Sequence, residues 1–194
     1  MFKLSDNPPI LSPQVKSLTE LTGRWWVAHT KARAEKAFAG ELACRNVAYF
    51  LPMVERVRIY GGKKQRVMLP LFASYVFFCG GDEDRYTAMT TNRLCQTIEV
   101  IDQGTLIAEL AAIEKALTGQ AELDPYPFTT VGQRCRITAG ALKGIEGVII
   151  KQAKRARVVL EVSILGQGAL MEIDVDLLEP IDRPIRPRSS VGAD

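Results

Sequence analysis

The sequence has little of what catalysis and metal binding require. It holds a single histidine, His29, and four cysteines at wide, unpatterned intervals, Cys44, Cys79, Cys95 and Cys135. No two cysteines have the close spacing of a zinc site, and four scattered thiols do not form a dense disulfide framework. A glycine-rich phosphate loop, a nucleophile elbow and metal-ligand spacing are absent too. We therefore expect no enzyme, catalytic residue, metal or cofactor, and a structural role for His29.

Long apolar runs are missing as well. No run approaches the ~20 residues that span a bilayer, and the N-terminal residues lack the basic segment and hydrophobic core of a signal peptide. The cysteine pattern fits a reducing compartment, so we expect a cytoplasmic protein with no membrane partner. The formal net charge is only +3, which means that any nucleic-acid binding must come from local clusters of cations.

What the sequence does contain is an unusual glycine loop near its C-terminal end. Gly140, Gly144 and Gly147 fall within eight residues between two short apolar runs, and such spacing indicates a backbone path that residues with a Cβ disfavour. Two segments of apolar alternation follow, at 158–164 and 171–176, with a turn predicted at 166–168. Half-buried antiparallel strands show this period of two. Four or five such strands in about 55 residues bury their apolar faces best by curling into a small barrel.

The region before the loop mixes strand and helix patterns. Strands are predicted where aromatic and β-branched residues cluster, and helices where apolar residues recur at helical spacing. The expected strands are 24–29, 47–51, 54–60, 64–69, 75–79 and 96–101, and the expected helices are 33–45, 82–91 and 106–117. Gly61-Gly62 is typical of a hairpin turn. This order predicts an α+β sandwich with helices on a mainly antiparallel sheet.

Both regions resemble parts of one family. The glycine loop and its strands resemble a KOW domain, the SH3-like barrel of NusG-type transcription factors and some ribosomal proteins. Three earlier segments resemble the NGN domain of NusG, namely Trp25-Trp26-Val27, Leu51-Pro52 and the run LPLFASYVF at 69–77. Ala73-Ser74 stands where Pro-Gly is usual, a departure shared with specialised RfaH-like paralogues. The resemblance implies a NusG-family factor with an NGN-like α/β sandwich, a flexible linker and a KOW β-barrel.

The predicted organisation has five parts. They are a mobile extension (1–22), an NGN-like polymerase-binding domain (23–119), a linker (120–128), a KOW barrel (129–182) and a disordered tail (183–194). Prolines and a lack of apolar periodicity identify the linker and the tail. We expect the linker to let the two domains move independently and the protein to be a monomer.

The resemblance places a polymerase-binding groove on the first domain. In the family this groove takes the clamp helices of RNA polymerase, and such a contact needs exposed apolar and aromatic walls. The residues at the matching positions are Trp26, Phe72, Ala73, Ser74 and Tyr75. The alternative is that these aromatic residues belong to the core. Because Trp25 and Trp26 alternate along a strand, one of the two is expected to be buried and the other exposed.

A cluster of cations surrounds the predicted hairpin turn. It consists of Arg56, Arg58, Lys63, Lys64 and Arg66, with Glu55 as the acid nearby. One interpretation is a solvated edge that resists aggregation, since charged edges are common. The other is contact with the phosphates of DNA in the elongation complex, where closely spaced cations gain from counterion release.

The glycine loop carries the candidate site of the barrel. Leu142, Lys143 and Ile145 lie among its glycines. The apolar pair either plugs the end of the barrel or contacts a partner. The resemblance implies a small-subunit ribosomal protein or the terminator Rho as that partner.

Together these features predict a transcription elongation or antitermination factor. It would bind RNA polymerase through its first domain, suppress pausing or termination, and recruit a second partner through its KOW domain. Any effect would come from binding that favours one polymerase conformation. The alternative is a ribosome- or RNA-associated KOW protein that does not bind polymerase.

Overall fold

The computed structural model describes residues 7–127, 132–151 and 155–181. In chain order the strands are β1 (Leu11–Ser12), β2 (Arg24–Thr30), β3 (Ala48–Phe50), β4 (Met53–Tyr60), β5 (Lys63–Pro70), β6 (Tyr75–Gly80), β7 (Leu94–Glu99), β8 (Asp124–Pro127), β9 (Gln133–Ile137), β10 (Glu146–Lys151), β11 (Arg155–Val162), β12 (Gln167–Asp174) and β13 (Leu178–Pro180). The helices are α1 (Glu35–Cys44), α2 (Asp82–Met89) and α3 (Gln103–Thr118), and short 3₁₀ turns lie at Leu18–Glu20, Ser163–Leu165 and Val175–Leu177. The predicted tail at 183–194, the first six residues of the predicted extension, residue 128 of the predicted linker and residues 129–131, 152–154 and 182 of the predicted barrel lie outside the described residues.

The main sheet has five antiparallel strands in the order β1-β3-β6-β2-β7. Its two faces are both covered, by α1 and α2 on one side and by α3 on the other. Trp25 and Trp26 are therefore both buried, with 1% and 4% of their surface exposed. The expectation that one of the two is exposed is wrong, because alternation exposes a side chain only where one face of a sheet meets solvent. The α+β sandwich itself agrees with the prediction.

Helix α3 is held in place by its cap and by an apolar stripe. The Asp102 side chain accepts a hydrogen bond from the Thr105 amide at 2.9 Å, which satisfies one of the amides that a helix start leaves unpaired. Leu106, Leu110 and Ile113 recur at helical spacing and are buried against the main sheet. The predicted helix and its inward face are thus present in the structure.

The segment at 7–22 differs from the mobile extension that the sequence predicted. Leu11 pairs with Phe50, which adds β1 to the edge of β3. Leu18 is fully buried, and the Glu114 carboxylate of α3 accepts hydrogen bonds from the Leu18 amide at 2.9 Å and from the hydroxyl of Ser17 at 2.8 Å. A two-residue strand and one turn are too short to produce a periodic pattern, so the sequence gives no sign of this packing.

The C-terminal half forms a six-stranded antiparallel sheet in the order β13-β9-β10-β11-β12-β8, which we call the C-terminal sheet. Its β-structure agrees with the predicted KOW-like region. The predicted turn at 166–168 is shifted, because a 3₁₀ turn and Gly166, at φ 59°, reverse the chain. Gly168 instead lies in β12, where a Cβ would come within 2.4 Å of Val159 Cγ1. The close approach of β11 leaves no room for a side chain at this position, which explains the glycine.

The predicted linker at 120–128 is packed over the part that the structure describes. β8 pairs with β12, with Tyr126 opposite Gly168. Leu123 is fully buried in a core cluster that includes residues of the main sheet, α3 and the C-terminal sheet. The Arg56 guanidinium of β4 donates to the Leu123 carbonyl oxygen at 2.5 Å and pairs with Asp124. This segment is therefore a structural connection between the two halves rather than a free linker.

The four thiols provide a test of this burial pattern. Cys44 and Cys95 are exposed, whereas Cys79 and Cys135 are buried, and burial raises the pKa of each buried thiol to about 11. Because the thiolate is the reactive form, we expect iodoacetamide to modify Cys44 and Cys95 of the native protein at pH 8 and to spare the other two. Peptide mapping by mass spectrometry identifies the labelled sites. All four should react in denaturant, and rapid labelling of native Cys135 would contradict the fold.

Candidate functional site

Trp26 lies in the core and not on a groove wall. Its ring stacks on Phe78 with centroids 6.5 Å apart and an interplanar angle of 16°. The guanidinium carbons of Arg24 and Arg85 lie 4.7 and 4.9 Å from the ring centroid, within the range of a cation–π contact. Only 4% of Trp26 is exposed, so it packs under two arginines and offers no surface to a partner.

Phe72 is also a core residue. It is 1% exposed and packs edge-on against Phe77, with ring centroids 6.2 Å apart. The position of Phe72 therefore does not fit the predicted role of an exposed anchor. It fits the alternative interpretation, in which Phe72 is a core residue. The next residue, Ala73, is exposed. The exposed part of the predicted groove begins at that residue.

Ser74 adopts a strained backbone conformation that a buried acid supports. Its φ is +67°, a region that costs a residue with a Cβ about 1 kcal/mol or more. The Ser74 amide donates to the Glu35 carboxylate at 2.6 Å, and the Ser74 carbonyl oxygen accepts from the Thr30 amide at 2.8 Å. Ser74 stands where Gly is usual in the resembled family. Glycine would adopt this conformation without strain, whereas here the hydrogen bond to Glu35, at the start of α1, stabilises the turn.

Tyr75 and His29 form a stacked pair at the end of the two central strands. They are direct cross-strand partners, their ring centroids are 5.1 Å apart with an interplanar angle of 21°, and both side chains are half-buried. We call the group His29, Ala73, Ser74 and Tyr75 the Tyr75 surface. His29 was expected to be only structural. The antiparallel pairing of β2 with β6 is the signal that places it in this surface.

The hairpin of β4 and β5 forms a two-stranded sheet of its own. In the middle of the hairpin, Arg56 is held by Asp124, and Arg66 lies 3.3 Å from Glu55. Towards the turn are three exposed cations, Arg58, Lys63 and Lys64, which we call the hairpin tip. Two of the five predicted cations, Arg56 and Arg66, therefore have acid partners, and the Arg66 side chain is nevertheless 73% exposed.

The hairpin also exposes two apolar side chains that the sequence analysis did not single out. Val57 is 60% exposed and Ile59 is 68% exposed. They lie opposite Arg66 and Lys64 in the register of the hairpin, and directly opposite residues share a face. One face of the hairpin therefore combines cations with aliphatic side chains.

The glycine loop lies against the end of α3. Gly140 and Gly144 adopt φ of 78° and 88°, as the spacing of the glycines predicted. Ile145 is 4% exposed and fills the core, so it supports the loop from inside. Leu142 is half-buried and Lys143 is exposed. A Cβ on Gly119 would lie 2.8 Å from Leu142 Cδ2, which shows how closely the loop approaches α3.

At 7–127, 132–151 and 155–181, no group of three or more histidine, cysteine or acidic side chains is placed to hold a metal ion. Within the same ranges, no helix is long and apolar enough to cross a membrane.

The fold consists of an α/β half followed by a β-sheet half. Residues 23–112 match the family model described as transcription termination factor nusG. This part of the chain is a NusG-family domain, which confirms the resemblance read from its strands.

The chain is also similar to two solved structures. One, described as the domain interaction in Thermotoga maritima NusG, is 19% identical, with 82% of this chain and 97% of that chain covered and a TM-score of 0.44. Another, the MjSpt4:Spt5 complex in conformation B, is 15% identical over the same shares of the two chains, with a TM-score of 0.25. No curated protein matches the chain.

The Glu35–Ser74 contact leads to a stability prediction. Replacing Glu35 by Ala leaves the Ser74 amide without its acceptor, and we expect the free energy of unfolding to fall by about 2 kcal/mol. Glu35→Gln retains an oxygen acceptor and should lose less than half as much. Urea unfolding measures both changes. Glu122→Ala, at an exposed position after α3, is the control and should stay within about 0.5 kcal/mol of the wild type. An equally small effect of Glu35→Ala would show that the contact does not support the turn.

Proposed function

We propose that this chain is a NusG-like transcription elongation or antitermination factor that binds RNA polymerase through residues 23–119. The observation that carries the proposal is a NusG-family domain at 23–112 with a half-exposed stacked pair, His29 and Tyr75, at the end of its central strands. Aromatic side chains dominate the energy of many protein interfaces. A NusG-family domain with such a pair at its rim fits a protein-binding role better than RNA binding alone.

The Tyr75 surface is the proposed contact for the clamp helices of the polymerase. Tyr75 and His29 supply the aromatic wall, and Ala73 leaves room for a helix to approach closely. Trp26 and Phe72 act from the core by fixing the strands that carry this pair. Glu35 holds the turn at Ser74, so the surface is formed before the partner arrives, which lowers the cost of binding.

Binding of this kind acts on transcription through a conformational equilibrium. A ligand shifts a two-state equilibrium by its difference in affinity for the two states. A factor that binds the closed clamp more tightly than the open clamp therefore disfavours paused states. The proposal requires no covalent step.

The hairpin tip is the proposed contact for DNA in the elongation complex. Arg58, Lys63 and Lys64 are exposed on a two-stranded sheet that is separate from the main sheet. Clustered cations bind phosphates with a gain from counterion release. Arg56 and Arg66 have acid partners, so they are expected to contribute less.

The C-terminal sheet is the proposed site for a second partner, a small-subunit ribosomal protein or Rho. Leu142 and Lys143 are the contact residues of this proposal, and Ile145 supports them from the core. Joining two binding modules in one chain raises the effective concentration of the second partner at the polymerase.

The central test compares polymerase with ribosomes. Purified core polymerase should retain the full-length protein in a pull-down, whether or not purified ribosomes also retain it through the C-terminal sheet. The variant Tyr75→Ala should weaken polymerase binding about tenfold to a hundredfold, the range for losing an aromatic anchor. Fluorescence anisotropy of the labelled protein measures the dissociation constants.

Matched controls separate this contact from a loss of fold. Tyr86 is 71% exposed on α2, on the opposite side of the main sheet, so Tyr86→Ala should leave the affinity unchanged. Phe72→Ala should instead reduce stability by about 3–5 kcal/mol, as core truncations of this size do. Binding to ribosomes but not to polymerase would overturn the proposal in favour of a ribosome-associated protein.

The hairpin tip leads to a prediction about salt. Replacing Arg58, Lys63 and Lys64 together by Ser should reduce the log–log slope of affinity against salt by about 2–3, because each phosphate contact contributes about 0.9. The measurement is the affinity of the protein for polymerase on a nucleic-acid scaffold, taken between about 50 and about 200 mM salt. An unchanged slope would mean that these cations are only solvated.

A control of equal charge is available in the C-terminal sheet. Arg136, Arg155 and Arg157 are paired there with Glu146, Asp174 and Glu172. Replacing all three by Ser changes the net charge by the same amount. The slope should stay within error of the wild type if the tip makes the DNA contact.

A further inference from the structure

The hairpin of β4 and β5 exposes an aliphatic pair that the proposed function does not use. Val57 and Ile59 are 60% and 68% exposed. Both lie on β4 with one residue between them, so they share one face of the hairpin. β-Branched side chains favour strands because they pack well against neighbours on the sheet surface. Two of them exposed side by side on one strand indicate a surface that a partner covers.

Cations lie directly beside this aliphatic pair. Lys64 is opposite Ile59, and Arg66 is opposite Val57. Directly opposite residues share a face, with their Cβ atoms about 5 Å apart. Both cations are exposed, and although Arg66 pairs with Glu55, 73% of its side chain remains accessible. A ligand that covers the aliphatic pair therefore also meets positive charge.

The attached half of the hairpin is fixed by contacts with other elements. Val54 is 8% exposed and belongs to a core cluster. The Lys36 ammonium group of α1 donates to the Met68 carbonyl oxygen at 2.5 Å, and the Arg56 guanidinium donates to the Leu123 carbonyl oxygen at 2.5 Å. These contacts hold the direction of the hairpin, so little ordering is needed when its free half binds.

Duplex DNA fits the free half of the hairpin better than a protein does. Protein interfaces are depleted of lysine and of charged residues at their centre, yet here Lys64 adjoins the aliphatic pair. Arg58 and Lys63 are exposed on the other face, so cations on the two faces can meet the two phosphate backbones that flank a groove. Two-stranded ribbons enter DNA grooves in several classes of DNA-binding protein.

Single-stranded nucleic acid fits this face less well than a duplex. Binding of single strands depends on aromatic side chains on which successive bases stack. The positions of this face hold no aromatic residue, and they are Glu55, Val57, Ile59, Lys64, Arg66 and Met68. Aliphatic side chains act on a duplex as wedges, which enter the minor groove, partly unstack a base step and bend the helix.

We propose that Val57 and Ile59 form an aliphatic wedge that enters the minor groove of duplex DNA and partly unstacks one base step, while Lys64 and Arg66 lie beside the adjacent phosphates. The wedge rests on the DNA contact proposed for the hairpin tip and not on polymerase binding. The cations supply affinity that depends on salt, and the wedge supplies a deformation that cations alone do not produce. Flexible steps such as TA unstack at the lowest cost, so the wedge favours them.

A fluorescent duplex tests the wedge in the absence of polymerase. The full chain is titrated against a duplex of about 20 base pairs that carries 2-aminopurine in place of the adenine of a central TA step. The fluorescence of 2-aminopurine rises when the base unstacks, and wild-type binding should raise it about twofold or more. The double variant Val57→Thr, Ile59→Thr keeps residues that strands favour and should abolish this rise. Its affinity, measured by anisotropy, should be about threefold to tenfold weaker.

Salt dependence separates the wedge from the cations. The threonine variant changes no charge, so its log–log slope of affinity against salt should equal that of the wild type. Ile101→Thr is the matched control, because Ile101 is 96% exposed and lies outside the hairpin. It should keep the full rise in fluorescence. The exchange variant Val57→Ile, Ile59→Val retains the aliphatic volume and should also keep the rise.

Each of three other results would overturn the proposal. Wild-type binding without a rise in fluorescence would show that the cations alone make the contact. Absence of wild-type binding up to about 100 μM chain at low salt would exclude duplex DNA as the ligand. Weaker binding of the threonine variant to core polymerase free of nucleic acid, with unchanged binding to the duplex, would assign the face to a protein partner. Failure of the wild type to bind polymerase would contradict the proposed function and leave the duplex result unaffected.

Discussion

The packing of α3 between two sheets is the constraint on which the rest of the structure depends. Its apolar stripe fills one face of the main sheet, while Glu109 bonds to Ser163 of the C-terminal sheet and Gly119 lies against Leu142 of the glycine loop. The same helix fixes its surroundings by hydrogen bonds, since Gln103 bonds to both the amide and the carbonyl oxygen of Trp25, at 2.8 and 3.0 Å, and Glu114 holds the segment at 17–18. With both faces occupied, α3 makes one core cluster out of what the sequence presents as two domains.

Local patterns predicted the elements well, and tertiary contacts decided what the patterns left open. The helices and strands at 24–117 follow from periodicity, which depends only on neighbouring residues. The burial of Trp26 and Phe72 depends on which layers cover the sheet, and alternation within a strand carries no such information. The packing of Leu18 depends on Glu114, which is 96 residues away along the chain. Neither the burial of the two aromatic residues nor the packing of Leu18 can be recognised from the neighbouring residues in the sequence.

The candidate surfaces show the same division. Ala73, Ser74 and Tyr75 could be predicted from a motif, and the hairpin cations from their clustering. His29 could not, because its role arises from pairing with Tyr75 across two strands. The pairing of Arg56 could not be predicted either, since it depends on Asp124, which reaches Arg56 only after the chain has folded.

The two-residue strand β1 affects whether the edge of the main sheet can pair with a strand of another molecule. It covers the edge of β3, and Pro13 follows it directly. Proline has no amide hydrogen to offer a neighbouring strand, and very short edge strands are a common defence against growth of sheets between molecules. A chain that started at residue 23 would leave the backbone of β3 uncovered. The segment before the NusG-family domain therefore closes an edge of the sheet to which a strand of another molecule could otherwise add.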